Sequence, residues 1–164
     1  MTRRVGILTV SDRSSRGERP DASGPALAQR MQDEGWEVTA KGIVPDDFNH
    51  LRGVLSEWAD SGNLDVLLTT GGTGFAPRDV TPEATRAVID REAPGLGEAM
   101  RLASAAKSKH AMLSRAIAGL RGNVLIINLP GSPKAAVENL EVVLPVLEHA
   151  VQLLRDDPGA EAGH

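Results

Sequence analysis

Leu64-Asp65-Val66-Leu67-Leu68-Thr69-Thr70-Gly71-Gly72-Thr73-Gly74 is the stretch on which the fold turns. From Leu64 to Thr70 it is near-continuously apolar and β-branched, which suits a central strand covered on both faces. A glycine-rich turn follows at once. The same pattern recurs on either side. Val5–Val10 is a short apolar run that ends in polar Ser11–Ser15, and Trp36–Val44 alternates before closing on Pro45-Asp46-Asp47. Val124–Leu129 leads into Pro130-Gly131-Ser132-Pro133-Lys134, and with Met112–Leu120 it flanks Arg121-Gly122-Asn123 as a hairpin.

Helices are expected between these strands. One is opened by Pro25, with Ser23 or Gly24 as its cap, and is stopped by Gly35. A second carries Phe48, Leu51, Val54, Leu55 and Trp58 at helical spacing, with Asp47 before it and Gly62 after it. A third starts at Thr81-Pro82-Glu83, with the Thr81 hydroxyl as cap, and breaks at Pro94-Gly95. A fourth covers Leu96–Ala106, and the last is capped by Ser132, opened by Pro133 and kinked at Pro145. The expected fold class is α/β, a three-layer α/β/α sandwich with a mostly parallel sheet and a small β-hairpin. Residues 1–155 are expected to form one domain, and 156–164 a flexible C-terminal tail.

Composition narrows the function. The 164 residues are 41% hydrophobic and 24% charged, as in a globular domain. Without cysteine there is no disulfide, thiolate metal site, catalytic thiol or iron–sulfur cluster. No apolar run reaches the ~18–20 residues of a membrane span, and the N-terminus lacks the apolar core of a signal peptide, so a cytoplasmic protein without a membrane partner is expected. Two Trp, two Phe and no Tyr argue against stacking of nucleic-acid bases, and a net charge of −4 gives no global field for DNA. The charge is uneven, however: Arg101, Lys107, Lys109, Arg115, Arg121 and Lys134 lie in a window, 99–137, that has no acid. This is either a solvated basic face or a local field that draws a small polyanion.

The polar segments after the strands fall on one edge of such a sheet, where ligands of α/β proteins bind. Glycines there let backbone N–H groups approach an anion, although a glycine pair after a strand can also be a plain tight turn. The Thr69, Thr70 and Thr73 hydroxyls around Gly71, Gly72 and Gly74 favour an anion or nucleotide site. The chain has no Walker loop, Gly72–Pro77 fails the dinucleotide fingerprint, no G-x-S-x-G elbow occurs, and the four histidines lack metal spacing. Asp46 and Asp79 stand beside the same strand ends. A carboxylate ~4 Å from a phosphate costs roughly 4 kcal/mol at an effective dielectric of ~20. The arrangement makes sense if Mg²⁺ lies between them; otherwise each acid caps a turn or helix, as Asp47 does well.

TTGGTGFAPRDVTPEAT (Thr69–Thr85), SDRSSRG (Ser11–Gly17), DASGP (Asp21–Pro25), PGLGEAMR (Pro94–Arg101) and LPGSPKA (Leu129–Ala135) together resemble the MogA/MoaB family of molybdenum-cofactor biosynthesis. The likeness runs from about Val5 to Leu154, and the PEATRAVIDREAPGLGEAMR stretch is closer to the MogA-type branch. The resemblance implies adenylylation of molybdopterin, whose terminal phosphate attacks the α-phosphorus of ATP with release of pyrophosphate. By motif position it implies Asp46 and Asp79 as the catalytic and Mg²⁺-binding acids. Ser11, Asp12, Thr70, Gly71, Gly72, Thr73, Gly74, Ser114, Gly131, Ser132, Pro133 and Lys134 are implied around the two substrates. It also implies a homotrimer and hand-over to a metal-insertion protein. A phosphate nucleophile is ionised at neutral pH and needs no general base, so the lack of a histidine or cysteine constellation agrees with such chemistry. A non-catalytic molybdopterin-binding or scaffolding relative is the alternative.

Overall fold

The computed structural model describes residues 2–163. Six strands form one sheet: β1 (Arg4–Val10), β2 (Glu37–Val44), β3 (Val66–Thr70), β4 (Arg91–Glu92), β5 (Ala118–Arg121) and β6 (Val124–Leu129), in the order β2-β1-β3-β6-β5-β4. Strands β2, β1, β3 and β6 are parallel. Strands β5 and β4 continue the sheet antiparallel, and β5 is joined to β6 by the hairpin turn at Gly122-Asn123.

The helices α1 (Asp12–Ser15), α2 (Ser23–Asp33), α3 (Phe48–Asp60), α4 (Thr81–Val88), α5 (Pro94–Ala105) and α6 (Pro133–Leu154) lie around this sheet. Alternation along the strands divides the core between its two faces. Val5, Ile7, Val66, Leu68, Leu125 and Ile127 pack with Leu27 and Met31 of α2, Met100 of α5 and Leu140, Leu144 and Leu147 of α6. Leu8, Val10, Leu67, Val124 and Ile126 pack with Leu51 and Leu55 of α3 and Ala84 and Val88 of α4. Every residue of β3 and β6 is buried, as expected for strands covered on both sides. The three-layer α/β architecture expected from sequence is therefore present.

The departures are local and have physical reasons. The third expected helix does not reach Pro94-Gly95; α4 ends at Val88, two residues of β4 intervene, and Pro94 instead opens α5. The first hairpin strand is shorter than Met112–Leu120, because the Ser108 hydroxyl caps a 3-10 turn over Lys109–Leu113 before β5 begins. The Thr81 hydroxyl does not cap α4. It donates to the Gly71 carbonyl at 2.9 Å and ties the helix to the glycine turn. Neither Ser23 nor Gly24 caps α2; the Asp21 carboxylate accepts the Gly24 N–H at 3.0 Å in that role. Ser132 and Asp47 do cap their helices. Pro145 sits inside an uninterrupted α6. Beyond it, Pro158–Gly163 form a 3-10 segment in which Ala160 is buried.

Candidate active site

Strand order changes direction between β1 and β3, and the ligand crevice of an α/β sheet opens at such a point, beyond the carboxyl ends of the strands. A cleft of about 200 Å³ is found there, lined among others by Ser11, Arg19, Asp46, Gly72, Asp79 and Gly131. Its floor is main chain. Gly71 has φ +106°, and a Cβ on it would stand 2.3 Å from the Val10 carbonyl oxygen. Gly72 has φ +69°, and a Cβ there would stand 2.3 Å from the Thr81 hydroxyl and 3.1 Å from Asp46 Oδ1. Only glycines let the loop turn and let the acids come this close. The Thr70 hydroxyl donates to the Pro130 carbonyl at 2.7 Å, binding the loop after β3 to the loop after β6.

The acids converge on this edge from three loops. Asp46 and Asp12 are hydrogen-bonded reciprocally, the Asp12 amide donating to Asp46 Oδ2 at 2.9 Å and the Asp46 amide to Asp12 Oδ1 at 3.0 Å. Arg78 grips Asp12 at 2.5 and 3.0 Å, and this hydrogen bond holds the Asp12 carboxyl below the ordinary range. Asp46 behaves oppositely. Burial, together with repulsion from Asp12 and Asp79, pushes its carboxyl above the ordinary range despite the Asp12 amide and Arg78. Asp79 accepts the Ala76 amide at 3.0 Å and so also closes its own turn, yet it faces the cleft. Arg19 is a cleft cation with no ion-pair or hydrogen-bond partner among the described residues.

A second cleft of about 330 Å³ lies across the glycine loop, whose Thr73 and Gly74 line it. Ser114, Arg101, Lys107 and His110 supply its polar wall, with Leu113 and Pro130 among the apolar residues. Arg115, next to Ser114, reaches back to the loop. Its amide donates to the Thr73 carbonyl at 2.8 Å, Nε to the Gly74 carbonyl at 2.7 Å and Nη2 to the Asp79 carbonyl at 2.8 Å, while Nη1 pairs with Glu83. Burial alone would raise the Glu83 carboxyl, but the bond from Arg115, its own backbone amide and the charges of Arg115 and Arg86 together hold the group below its ordinary range.

Ser11, Thr70, Gly71, Gly72, Gly131, Pro133, Asp46 and Asp79 thus share the first cleft, and Thr73, Gly74 and Ser114 the second. Asp12, Ser132 and Lys134 line neither: Asp12 backs Asp46, Ser132 caps α6, and Lys134 is exposed, 4.0 Å from Glu138. The basic window divides. Arg101 and Lys107 line the second cleft, whereas Arg121 pairs with Asp60 at 2.9 Å as a structural tie. Sequence reading missed Arg19, the clamp made by Arg115, and Asn128. The buried Asn128 side chain donates to the Thr69 and Thr85 hydroxyls at 3.0 and 2.9 Å and locks β3, β6 and α4 together. An amide within the otherwise apolar Val124–Leu129 was the signal for it.

A mostly parallel sheet with a glycine-floored cleft and convergent acids at its switch point defines an α/β protein with a ligand site at the strands' carboxyl ends. Residues 6–149 match the family model described as "Probable molybdopterin binding domain". The chain belongs to that family. It is 45% identical over 153 residues to the molybdenum cofactor synthesis protein cinnamon of Drosophila melanogaster, covering 93% of this chain and 26% of the fly protein. The chain thus spans about a quarter of that relative. It is 41% identical to a molybdopterin adenylyltransferase of Helicobacter pylori, covering 92% of this chain and 86% of that one. The crystal structure of the molybdopterin biosynthesis enzyme MoaB from Thermus thermophilus superposes with TM-score 0.89 at 54% identity, over 96% of this chain and 99% of the other. The structure of MogA superposes with TM-score 0.88 at 38% identity, over 93% of this chain and 99% of the other, so both names occur among its structural neighbours.

Proposed function

We propose that this protein is a molybdopterin adenylyltransferase. An oxygen of the terminal phosphate of molybdopterin attacks the α-phosphorus of ATP, the bond from that phosphorus to the β-phosphate bridging oxygen breaks, and pyrophosphate leaves. The observation that carries the reading is the meeting of Asp46 and Asp79 on one glycine-floored cleft, in a chain of this family. Two polyanions cannot meet beside bare carboxylates, and a buried Asp46 crowded by Asp12 and Asp79, with Arg78 offsetting only part of that, fits a hard divalent cation. Asp46 and Asp79 would hold Mg²⁺, which supplies charge neutralisation at the reacting phosphates when bound.

The chain's own groups do the rest. The backbone amide of Gly72 and the amino end of α6, reached at Gly131 and Pro133, present partial positive charge to phosphate oxygens, while the Gly71 amide is held by the Leu129 carbonyl at 3.0 Å. Arg19 adds a free guanidinium at the same cleft. The second cleft, larger and partly apolar, has the size and wall for one of the two ring systems, so that the phosphates cross the loop between the clefts. The proposal further makes the protein a cytoplasmic homotrimer that passes its product to a metal-insertion protein. Family likeness supports this, and so do exposed Leu102 and Met112 on the packed pair of α5 and the following 3-10 turn, a surface suited to cover by a second subunit. No helix among the described residues is long and apolar enough to cross a membrane.

Incubation with molybdopterin, ATP and Mg²⁺ tests the assignment. Stoichiometric pyrophosphate and an adenylylated pterin are expected. Tight binding of molybdopterin with neither product would make the protein a carrier instead.

A further inference from the structure

Arginine in a site for anions is ordinarily read as a phosphate ligand, but every donor-bearing nitrogen of Arg115 is already committed. Nε and Nη2 hold the carbonyls of Gly74 and Asp79 at 2.7 and 2.8 Å, Nη1 is paired with Glu83, and the amide holds Thr73 at 2.8 Å. Among the described residues these carbonyls take no hydrogen bond from the loop itself. At the base, Gly71 and Gly72 are held by the hydroxyl and amide of Thr81 at 2.9 and 3.1 Å, and Ala76 accepts the Asp79 amide at 2.9 Å. Arg115 fixes the remainder from outside, across 36 to 41 residues of chain.

The geometry points to Arg115 as the positioning residue of the reaction, one that sets where the Asp79 carboxylate and the wall between the two clefts stand without touching substrate. A planar guanidinium can serve two carbonyls in one rigid fork, which an ammonium cannot. Its charge is spent on Glu83, so what it contributes is placement. It also stands next to Ser114, which lines the second cleft, while its amide holds Thr73 of the wall. One residue thereby joins the wall of the second cleft, through its amide, to the acid of the first, through its side chain.

The inference rests on the adenylyltransferase reading, and its test keeps the two apart. Arg115→Lys and Arg115→Ala are compared with wild type for kcat and for KM toward ATP and molybdopterin. Exchange of the Ala76 amide proton, which is held by Asp79 Oδ2, is followed in the same proteins without substrate. The expected result is a kcat lower by about 10–100-fold with both KM values within about threefold, as for a misplaced catalytic group. Lysine should recover less than about a third of the lost rate, since it restores charge but not the fork. The Ala76 amide should exchange at least ~10-fold faster in both variants, with the core amides of β3 unchanged. A tenfold rise in KM at constant kcat would make Arg115 a phosphate ligand. Full recovery by lysine, unchanged exchange at Ala76, or loss of the folded state would each overturn the proposal. If wild type releases no pyrophosphate, the adenylyltransferase reading fails by itself, and the exchange result still decides whether Arg115 fixes the Asp79 turn.

Discussion

The two ends of the central sheet treat an aspartate in opposite ways. At the amino end, Asp65 is buried between Arg4 and Arg155 and also accepts the Arg4 amide at 2.8 Å. Burial alone would raise its carboxyl, but the two arginines outweigh that and hold it below the ordinary value of 3.8. At the carboxyl end, burial first and then the neighbouring acids Asp12 and Asp79 raise the Asp46 carboxyl. One edge is finished, with its charge balanced by the chain itself. The other gathers Asp12, Asp46 and Asp79 with Arg78 spent on Asp12 and Arg19 unpaired among the described residues, so its charge is not balanced in closed pairs. A fold gains nothing in stability from the second arrangement, and under the proposed function that asymmetry falls at the working edge.

The largest effect should come from disarming that edge. Asp79→Asn keeps an oxygen for the Ala76 amide but loses the charge, and turnover should fall about 10²–10³-fold while KM for molybdopterin stays within about threefold. Parallel losses in both, measured as steady-state pyrophosphate release, would reduce Asp79 to a shaping role.

Next comes the finished edge. Asp65→Asn strands two partly buried guanidinium groups and should cost roughly 2–3 kcal/mol, a melting temperature about 5–10 °C lower, with kcat unaffected. Because the folded carboxyl is held below 3.8, the stability it contributes is present above that value and is lost as pH falls through the folded pKa. Acid unfolding curves of wild type should therefore show a steep loss below about pH 4 that the variant lacks.

The smallest effect has the opposite sign. A raised carboxyl favours the folded state when protonated and opposes it once ionised, so Asp46 weakens the fold as pH climbs through 3.8 and the higher folded value. Asp46→Asn should raise the melting temperature at pH 7 by about 1–3 °C while turnover collapses. Scanning calorimetry at pH 7 checks it, and a lowered melting temperature would mean that the acids are not in net repulsion.

The legible part of this molecule was the part written in main-chain grammar. The buried strand Val66–Thr70, the glycine turn, the Ser132 and Asp47 caps and the Gly122-Asn123 hairpin each leave a local signature, and that grammar put Asp46 and Asp79 on one edge. The two-residue strand Arg91–Glu92 is too short to show a period, so the helix before it was read as too long. The hydroxyls of Thr70 and Thr81 looked free for ligand or cap, but their partners are carbonyls brought near only by the tertiary fold. Arg115 was hidden for the same reason: within the chain it is one of six cations in an acid-free window, and nothing nearby in sequence says that it clamps a distant loop.

The central claim is that carboxylates at the carboxyl edge hold a divalent cation that lets two phosphates meet. Its most direct measurement is pyrophosphate release from ATP and molybdopterin as Mg²⁺ is withdrawn by a chelator and then restored. Release that stops on withdrawal and returns on restoration, with Asp79→Asn requiring far more Mg²⁺ for what activity it keeps, is the predicted result. Undiminished release under complete chelation would contradict it.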